Sequence, residues 1–273
     1  MNESYVGHSG VGWSRVSSVS TTSTTNSVTT STLPQGTYYW RVKSEDLACN
    51  ASSYSGSRVF FIDTTAPNPP PHSSPSNGSC TNNTGQSFSW GSTGGNYYQI
   101  QIDNNSDFSS PVVDQYRTGN VYTPSGGTFS TGTYYWHVRT RDPAGNWSNY
   151  YPTFTLYVDT AAPDTTITSA PSGTVASHSA TLQFTSNESG VWYQWKMGTS
   201  NWVGNGSNTS MTFTGNVPEG TITFQVRAID SAGNSDPSPA TATWTVDTIA
   251  PGTPTLTSPD NGSVFNDTTP TLS

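Results

Sequence analysis

Apolar residues recur along this chain with a period of two, in short runs broken by glycine, proline, serine and asparagine. Tyr134, Trp136 and Val138 alternate with Tyr135, His137 and Arg139, the pattern of a strand with one face buried and one in water. Phe154, Leu156 and Val158 repeat it, as do Ala242, Trp244 and Val246. Phe88 with Trp90 marks another strand, and Tyr98, Ile100 and Ile102 the next; Leu182 with Phe184, then Tyr193, Trp195 and Met197, are their later counterparts. No stretch carries a helical period, so the pattern predicts an all-β chain with almost no helix. Several short strands separated by turn residues read as two-sheet sandwiches.

The strands fall into a repeat. Gly36-Thr37-Tyr38-Tyr39-Trp40-Arg41-Val42 is followed by Asp46-Leu47-Ala48-Cys49-Asn50 and closes at Asp63-Thr64-Thr65-Ala66-Pro67. Gly132-Thr133-Tyr134-Tyr135-Trp136-His137-Val138, Asp142-Pro143-Ala144-Gly145-Asn146 and Asp159-Thr160-Ala161-Ala162-Pro163 align with it without gaps. So do Gly220-Thr221-Ile222-Thr223-Phe224-Gln225-Val226, Asp230-Ser231-Ala232-Gly233-Asn234 and Asp247-Thr248-Ile249-Ala250-Pro251. The leading glycines recur at intervals of 96 and 88 residues, each the length of a small domain rather than a solenoid turn. The expected divisions are 1–65, a partial repeat lacking its first strands; 66–162 and 163–250, two complete repeats; and 251–273, the start of a fourth. A Ser/Thr-rich stretch from Ser17 to Thr32 precedes the strands of the first. Pro-containing linkers at Ala66-Pro67, Ala162-Pro163 and Ala250-Pro251 predict semi-rigid joints.

The motifs Gly-Thr-Tyr-Tyr-Trp-Arg-Val, Asp-x-Ala-Gly-Asn and Val-Asp-Thr-x-Ala-Pro resemble the tandem fibronectin type III-like and bacterial immunoglobulin-like repeats of large surface proteins. The likeness extends over nearly the whole chain. It implies immunoglobulin-like β-sandwiches arranged end to end, an extracellular or cell-surface setting, and service as spacer, stalk or adhesin module. Fold alone does not give function. Two residues depart from the pattern: Cys49 replaces the glycine of the Ala-Gly-Asn turn, and Ile222 stands where the sister repeats have tyrosine.

Composition narrows the function classes. Apolar residues make up 31% and charged residues 10%, which alone would permit disorder. Aromatic residues reach 12%, with nine Trp, enough to close small cores. The net charge of −8, with nine scattered basic residues, excludes nucleic acid and disfavours an anionic membrane surface. No apolar run approaches the ~20 residues that span a bilayer, and Met1-Asn2-Glu3-Ser4-Tyr5 is not a secretory signal. The expectation is that any signal or anchor lies outside this stretch. The four histidines, His8, His72, His137 and His178, fall at unrelated places in the repeats. There is no nucleophile motif, phosphate-binding glycine loop or metal-spaced His/Cys cluster, so no enzyme is expected here. Cys49 and Cys80 are too few for a disulfide scaffold. The implied topology puts Cys49 in a loop at one pole of its repeat and Cys80 in a turn at the far pole of the next, so both are expected as free thiols.

Two candidate sites remain. Asp46 and Asp63, Asp142 and Asp159, and Asp230 and Asp247 are each 17 residues apart. The topology implied by the resemblance brings Asp63 to Asp142 and Asp159 to Asp230 across successive junctions. These four carboxylates, with Asn146 or Asn234, are candidate oxygen ligands for Ca²⁺, the one cofactor for which the chain offers ligands; a related family of surface repeats places Ca²⁺ at such junctions. The competing reading is turn chemistry, in which each aspartate accepts from backbone N–H groups. The second candidate is an exposed sheet face: Tyr97, Gln99 and Gln101 on one strand, Tyr135, His137 and Arg139 on its neighbour, with Tyr97, Tyr135 and His137 as ligand contacts. Ordinary pairing on a solvated face competes with it. The function expected is a non-catalytic spacer or stalk of an adhesin-like secreted or surface protein, stiffened by calcium at its junctions; the alternative is carbohydrate- or protein-binding accessory modules of a secreted hydrolase. The partners are neighbouring repeats, with host glycans or surface proteins as candidates.

Overall fold

The computed structural model describes residues 2–8, 11–19, 29–30, 32–46, 48–266 and 268–273, with side chains from residue 29 onward. The Ser/Thr-rich stretch from Ser17 to Thr32 lies largely outside these residues. The chain forms two compact units, Met1–Asp159 and Thr160–Ser273. The described residues contain strands and turns and no helix.

The first unit opens with β1 (Asn2–His8), β2 (Val11–Val19), β3 (Gly36–Ser44) and β4 (Arg58–Ile62), an antiparallel sheet in the order β2-β1-β3-β4. Eight strands follow: β5 (His72–Ser74), β6 (Ser79–Thr81), β7 (Phe88–Trp90), β8 (Tyr97–Asp103), β9 (Val113–Arg117), β10 (Val121–Tyr122), β11 (Gly132–Arg141) and β12 (Phe154–Val158). They make a three-stranded sheet, β10-β7-β5, and a five-stranded sheet, β6-β12-β11-β8-β9.

The second unit repeats that plan with β13 (Thr165–Ser169), β14 (Thr174–Val175), β15 (Ala180–Ser186), β16 (Trp192–Met197), β17 (Val203–Gly206), β18 (Ser210–Phe213), β19 (Gly220–Ile229) and β20 (Ala240–Val246). Its sheets run β13-β15-β18 and β14-β20-β19-β16-β17. The opening sheet of the first unit matches the β9-β8-β11-β12 part of the larger sheet, strand for strand.

In both complete sandwiches the first strand crosses between sheets. β5 pairs with β7 in the small sheet, and the chain then turns at Gly78 (φ +77°) to lay β6 parallel to β12 in the large one. Gly173 (φ +65°) makes the same turn before β14 joins β20. The left-handed backbone there is open to glycine and costly for residues with a Cβ. This crossing corrects the placing of Cys80 in a turn: it sits in β6, opposite Tyr157. Two or three residues of parallel pairing carry too little alternation to be seen in sequence. Cys80 and Cys49 are both exposed, free thiols.

Each sandwich closes on its own core. In the first unit Trp90, Ile100, Ile102, Trp136, Val138 and Leu156 are almost wholly buried, inward-facing residues of both sheets. In the second, Leu182, Phe184, Phe224, Val226 and Trp244 take that role. Tyr134 is buried, and its hydroxyl donates to the Ser130 carbonyl (3.2 Å); Tyr38 makes the same bond back to Pro34 (2.8 Å). This is the tyrosine corner of immunoglobulin-like sandwiches. Ile222 buries its side chain at the equivalent place with no hydroxyl to offer, and there the bend is tied instead by Val217, whose N–H donates to the His178 carbonyl (3.0 Å) and whose carbonyl accepts from His178 Nδ1 (2.7 Å).

Candidate functional site

The Asp-x-x-x-Asn turns sit between β11 and β12, between β19 and β20, and between β3 and β4. In each, one carboxylate is saturated by its own loop. Asp142 Oδ1 accepts from Gly145 N (2.8 Å) and Asn146 N (2.9 Å), and Oδ2 from Asn146 Nδ2 (2.9 Å). Asp230 accepts from Ala232 N, Gly233 N, Asn234 N and Asn234 Nδ2, all within 2.9 Å. Asp46 repeats the arrangement with Ala48 N, Asn50 N and Asn50 Nδ2. The Asn side-chain amide, followed by backbone N–H groups, holds the carboxyls of Asp142 and Asp46 below the usual carboxylate range. A carboxylate is all acceptor, so each turn satisfies donors that a tight loop would otherwise leave unpaired.

The structure does bring Asp63 to the Asp142 turn, through the main chain: Asn146 Nδ2 also donates to the Asp63 carbonyl (3.0 Å). The Asp63 carboxylate accepts from Thr65 N (2.9 Å). Asp159 closes β12, its amide donating to the Thr81 carbonyl (3.0 Å). Among the described residues no three His, Cys, Asp or Glu side chains gather as a metal-holding group.

After each turn the chain runs back along the strand it has left. Ser148 N donates to the Thr140 carbonyl and Tyr151 N to that of Val138, both at 2.9 Å. Asp236 N does the same to Ala228. In the second unit this strap carries a buried acid. Asp236, 1% exposed, accepts from Thr165 N (2.9 Å) through one oxygen and from Ser238 N (2.8 Å) through the other. Thr165 Oγ1 in turn accepts from Ala228 N (2.7 Å). Asp236→Ala leaves buried N–H groups without acceptors, and the expected loss is about 2 kcal/mol, read as a lower denaturant midpoint for this sandwich; an unchanged midpoint would refute the strap.

The strap also decides the outer face of the five-stranded sheet. Tyr97, Tyr135 and His137 all project there, as their register requires, but the face is not solvated along its length. Gln99, expected to point into water, is 2% exposed. Its Oε1 accepts from Arg139 Nε (2.7 Å) and Tyr150 OH (3.0 Å), and its Nε2 donates to Asp114 Oδ1 (2.7 Å). The reason is that Trp147 and Tyr150 fold back across it. His137 lies stacked between Phe108 (3.6 Å) and Tyr150 (3.7 Å), donating from Nε2 to Gln101 Oε1 (2.9 Å). Arg139 lies between the rings of Tyr150 (4.8 Å) and Trp147 (4.6 Å), and Arg141 between Trp147 (5.8 Å) and Tyr97 (5.5 Å). Phe108, at φ +53°, holds a conformation that aromatic side chains rarely adopt.

Thus Tyr97 and His137 join one ladder of alternating rings and cations, and Tyr135 stands beyond it opposite Asp103. Sequence reasoning missed Phe108, Tyr116, Trp147 and Tyr150; the legible signal was an aromatic residue directly after the Asp142-to-Asn146 turn, opposite Arg141. The third repeat keeps a shorter version, with Arg227 (4.3 Å) and Lys196 (4.9 Å) over Trp202 and Arg227 bonded to Gln194.

Burial, followed by the charge of Arg139, lowers the His137 pKa to about 4 against the opposing pull of Asp114. His72, stacked on Trp136 (3.7 Å) beneath the same sheet, is lowered to about 3, chiefly by burial and then by His137.

No protein-family model matches the chain, and neither does any curated protein. Among solved structures, the chicken CNTN1 FN1–FN3 domains are 15% identical, with a TM-score of 0.46 over 90% of this chain and 88% of that one. The fibronectin(III)-like modules of Clostridium thermocellum CbhA are 14% identical, with a TM-score of 0.47 over 65% of this chain and 93% of theirs. Likeness at this level adds nothing to what the strand order establishes. Three-on-five sandwiches with a strand that switches sheets, tyrosine corners, and one plan repeated along the chain make this protein a run of tandem fibronectin type III-like β-sandwiches.

Proposed function

We propose that this chain is a non-catalytic spacer of a secreted or cell-surface protein, a string of sandwiches that holds neighbouring parts of that protein apart. Domains of this fold often serve as spacers or linkers and are common in extracellular and cell-surface proteins. The observation that supports the reading is the saturation of the loop carboxylates. Asp46, Asp142 and Asp230 are consumed in holding their own turns, which suits a load-bearing module. Pulling the full chain at constant velocity tests it. The two complete sandwiches should each unfold in a discrete step, releasing about 25–30 nm; smooth extension at low force would overturn the spacer role.

Calcium stiffening is the second reading, and one observation favours it: Asn146 joins the Asp142 turn to the main chain at Asp63. A thermal melt of the full chain in EDTA and in Ca²⁺ separates the two. Extracellular modules bind Ca²⁺ near ~10⁻⁴ M, so about 10 mM would add roughly 2.7 kcal/mol per site and raise Tm by on the order of 10 °C. With the carboxylates already engaged, the expected result is no shift. A rise that disappears in Asp159→Ala or Asp230→Ala would establish the calcium reading instead.

A further inference from the structure

We propose that the rim of the outer sheet face in the first unit, formed by Tyr97, Tyr116, Trp147 and Arg141, binds an acidic saccharide whose sugar ring stacks on the aromatic cluster and whose carboxylate pairs with Arg141. This adds to the spacer reading and does not depend on it.

Three rings meet at this rim at nearly equal spacing. Tyr97 and Tyr116 stack at 6.1 Å, and Trp147 stands 6.2 Å from the first and 6.0 Å from the second. Tyr116 is 50% exposed, while Tyr97 and Trp147 are half-buried. Arg141 is exposed, with its guanidinium over Tyr97 and Trp147, and no carboxylate among the described residues pairs with it. The acids of the same face are already engaged. Asp114 accepts from Gln99 and Gln101, and Asp103 from Asn105 N and Ser110 N.

With no acid among the described residues paired to it, Arg141 leaves a cationic group beside the three rings. Cation–π contacts with two rings, at 5.5 and 5.8 Å, hold the guanidinium at the rim, where its free N–H groups can grip a carboxylate through two bonds. The flat C–H face of a pyranose fits the rings beside it. An acidic peptide would meet the same charge. However, its extended chain presents no flat ring face to lie against the exposed Tyr116 and its two aromatic neighbours.

Titration calorimetry on the full chain at low salt decides it, using hexagalacturonate, neutral cellohexaose and hexaglutamate. Hexagalacturonate should bind at least tenfold more tightly than either of the others and weaken with salt. Arg141→Gln and Tyr116→Ala, both at exposed positions that leave the core intact, should each weaken it tenfold or more. Lys196→Gln, in the other unit, should leave it unchanged. No heat from hexagalacturonate would overturn the proposal, as would equal binding of hexaglutamate or full affinity in both rim variants.

Discussion

Trp136→Ala should destabilise the first complete sandwich by about 3–5 kcal/mol, the cost of deleting a large buried aromatic side chain. Trp136 is fully buried and touches both sheets. His72 stacks on it at 3.7 Å, and Phe88 and Phe154 meet it edge-on at 5.1 and 5.8 Å. His72 and Phe88 belong to the three-stranded sheet, and Phe154 to β12 in the five-stranded one. Removing the indole therefore opens a void where the sheets meet, and a rigid pair of sheets collapses poorly into such a void. In a domain of this size the loss should lower Tm by roughly 15–30 °C. The sandwich of the second unit has its own core around Trp244, so its transition should stay in place. Calorimetry of the full chain reads both transitions at once. A single transition that moves as a whole would show that the two cores are coupled, and a drop of less than about 1 kcal/mol would show that Trp136 is not the keystone of its sandwich.

Acid should unfold that same sandwich well before the carboxylates titrate. His72 and His137 have folded pKa values of about 3 and about 4, against ~6.5 in an unfolded chain. Each is a base whose charged form the fold disfavours, so below pH ~6.5 the unfolded state binds more protons than the folded one. Their contribution is fully present above pH ~6.5. It is lost as pH falls toward the folded values; both rings keep part of their surface in water, so each loses less than the full ~1.4 kcal/mol per pH unit. The lowered carboxyls of Asp46 and Asp142 act in the same direction but lower in pH, because their contribution is present above ~4 and disappears as acid protonates them. Between pH 6.5 and 4.5 the histidines should therefore dominate. His72→Phe keeps the stack on Trp136 and removes both ring nitrogens, which have no hydrogen-bond partner. It should raise stability at neutral pH and flatten the decline. Denaturation midpoints across this pH window test the claim; a decline just as steep in His72→Phe would transfer the acid sensitivity to other groups.

The strands that bury one face were legible from their alternation. Tyr134, Trp136 and Val138, and likewise Ile222, Phe224 and Val226, are buried as the period of two requires. Strands such as β9, with Asp114, Gln115 and Tyr116 exposed, and the two-residue β10 and β14 were not. They lie at or beside sheet edges, where one or no apolar residue per strand needs burying. The aspartates of the turns were found, and the two readings offered for them differed only in what the carboxylates accept. The repeated Asp-x-x-x-Asn spacing shows where the carboxylate is. Only the folded loop places four donors around it at Asp230.

By itself, then, the sequence determined the all-β class, the repeat and the inward faces, because these follow from local periodicity and from turn residues a few positions apart. The tertiary structure decided the crossing of the first strand between sheets, the core site of His72 and the covering of Gln99. It alone assembled the rim of Tyr97, Tyr116, Arg141 and Trp147. Each of these depends on which distant segments fold over one another, and a side chain's surroundings, unlike its spacing, are set by residues far away in the chain.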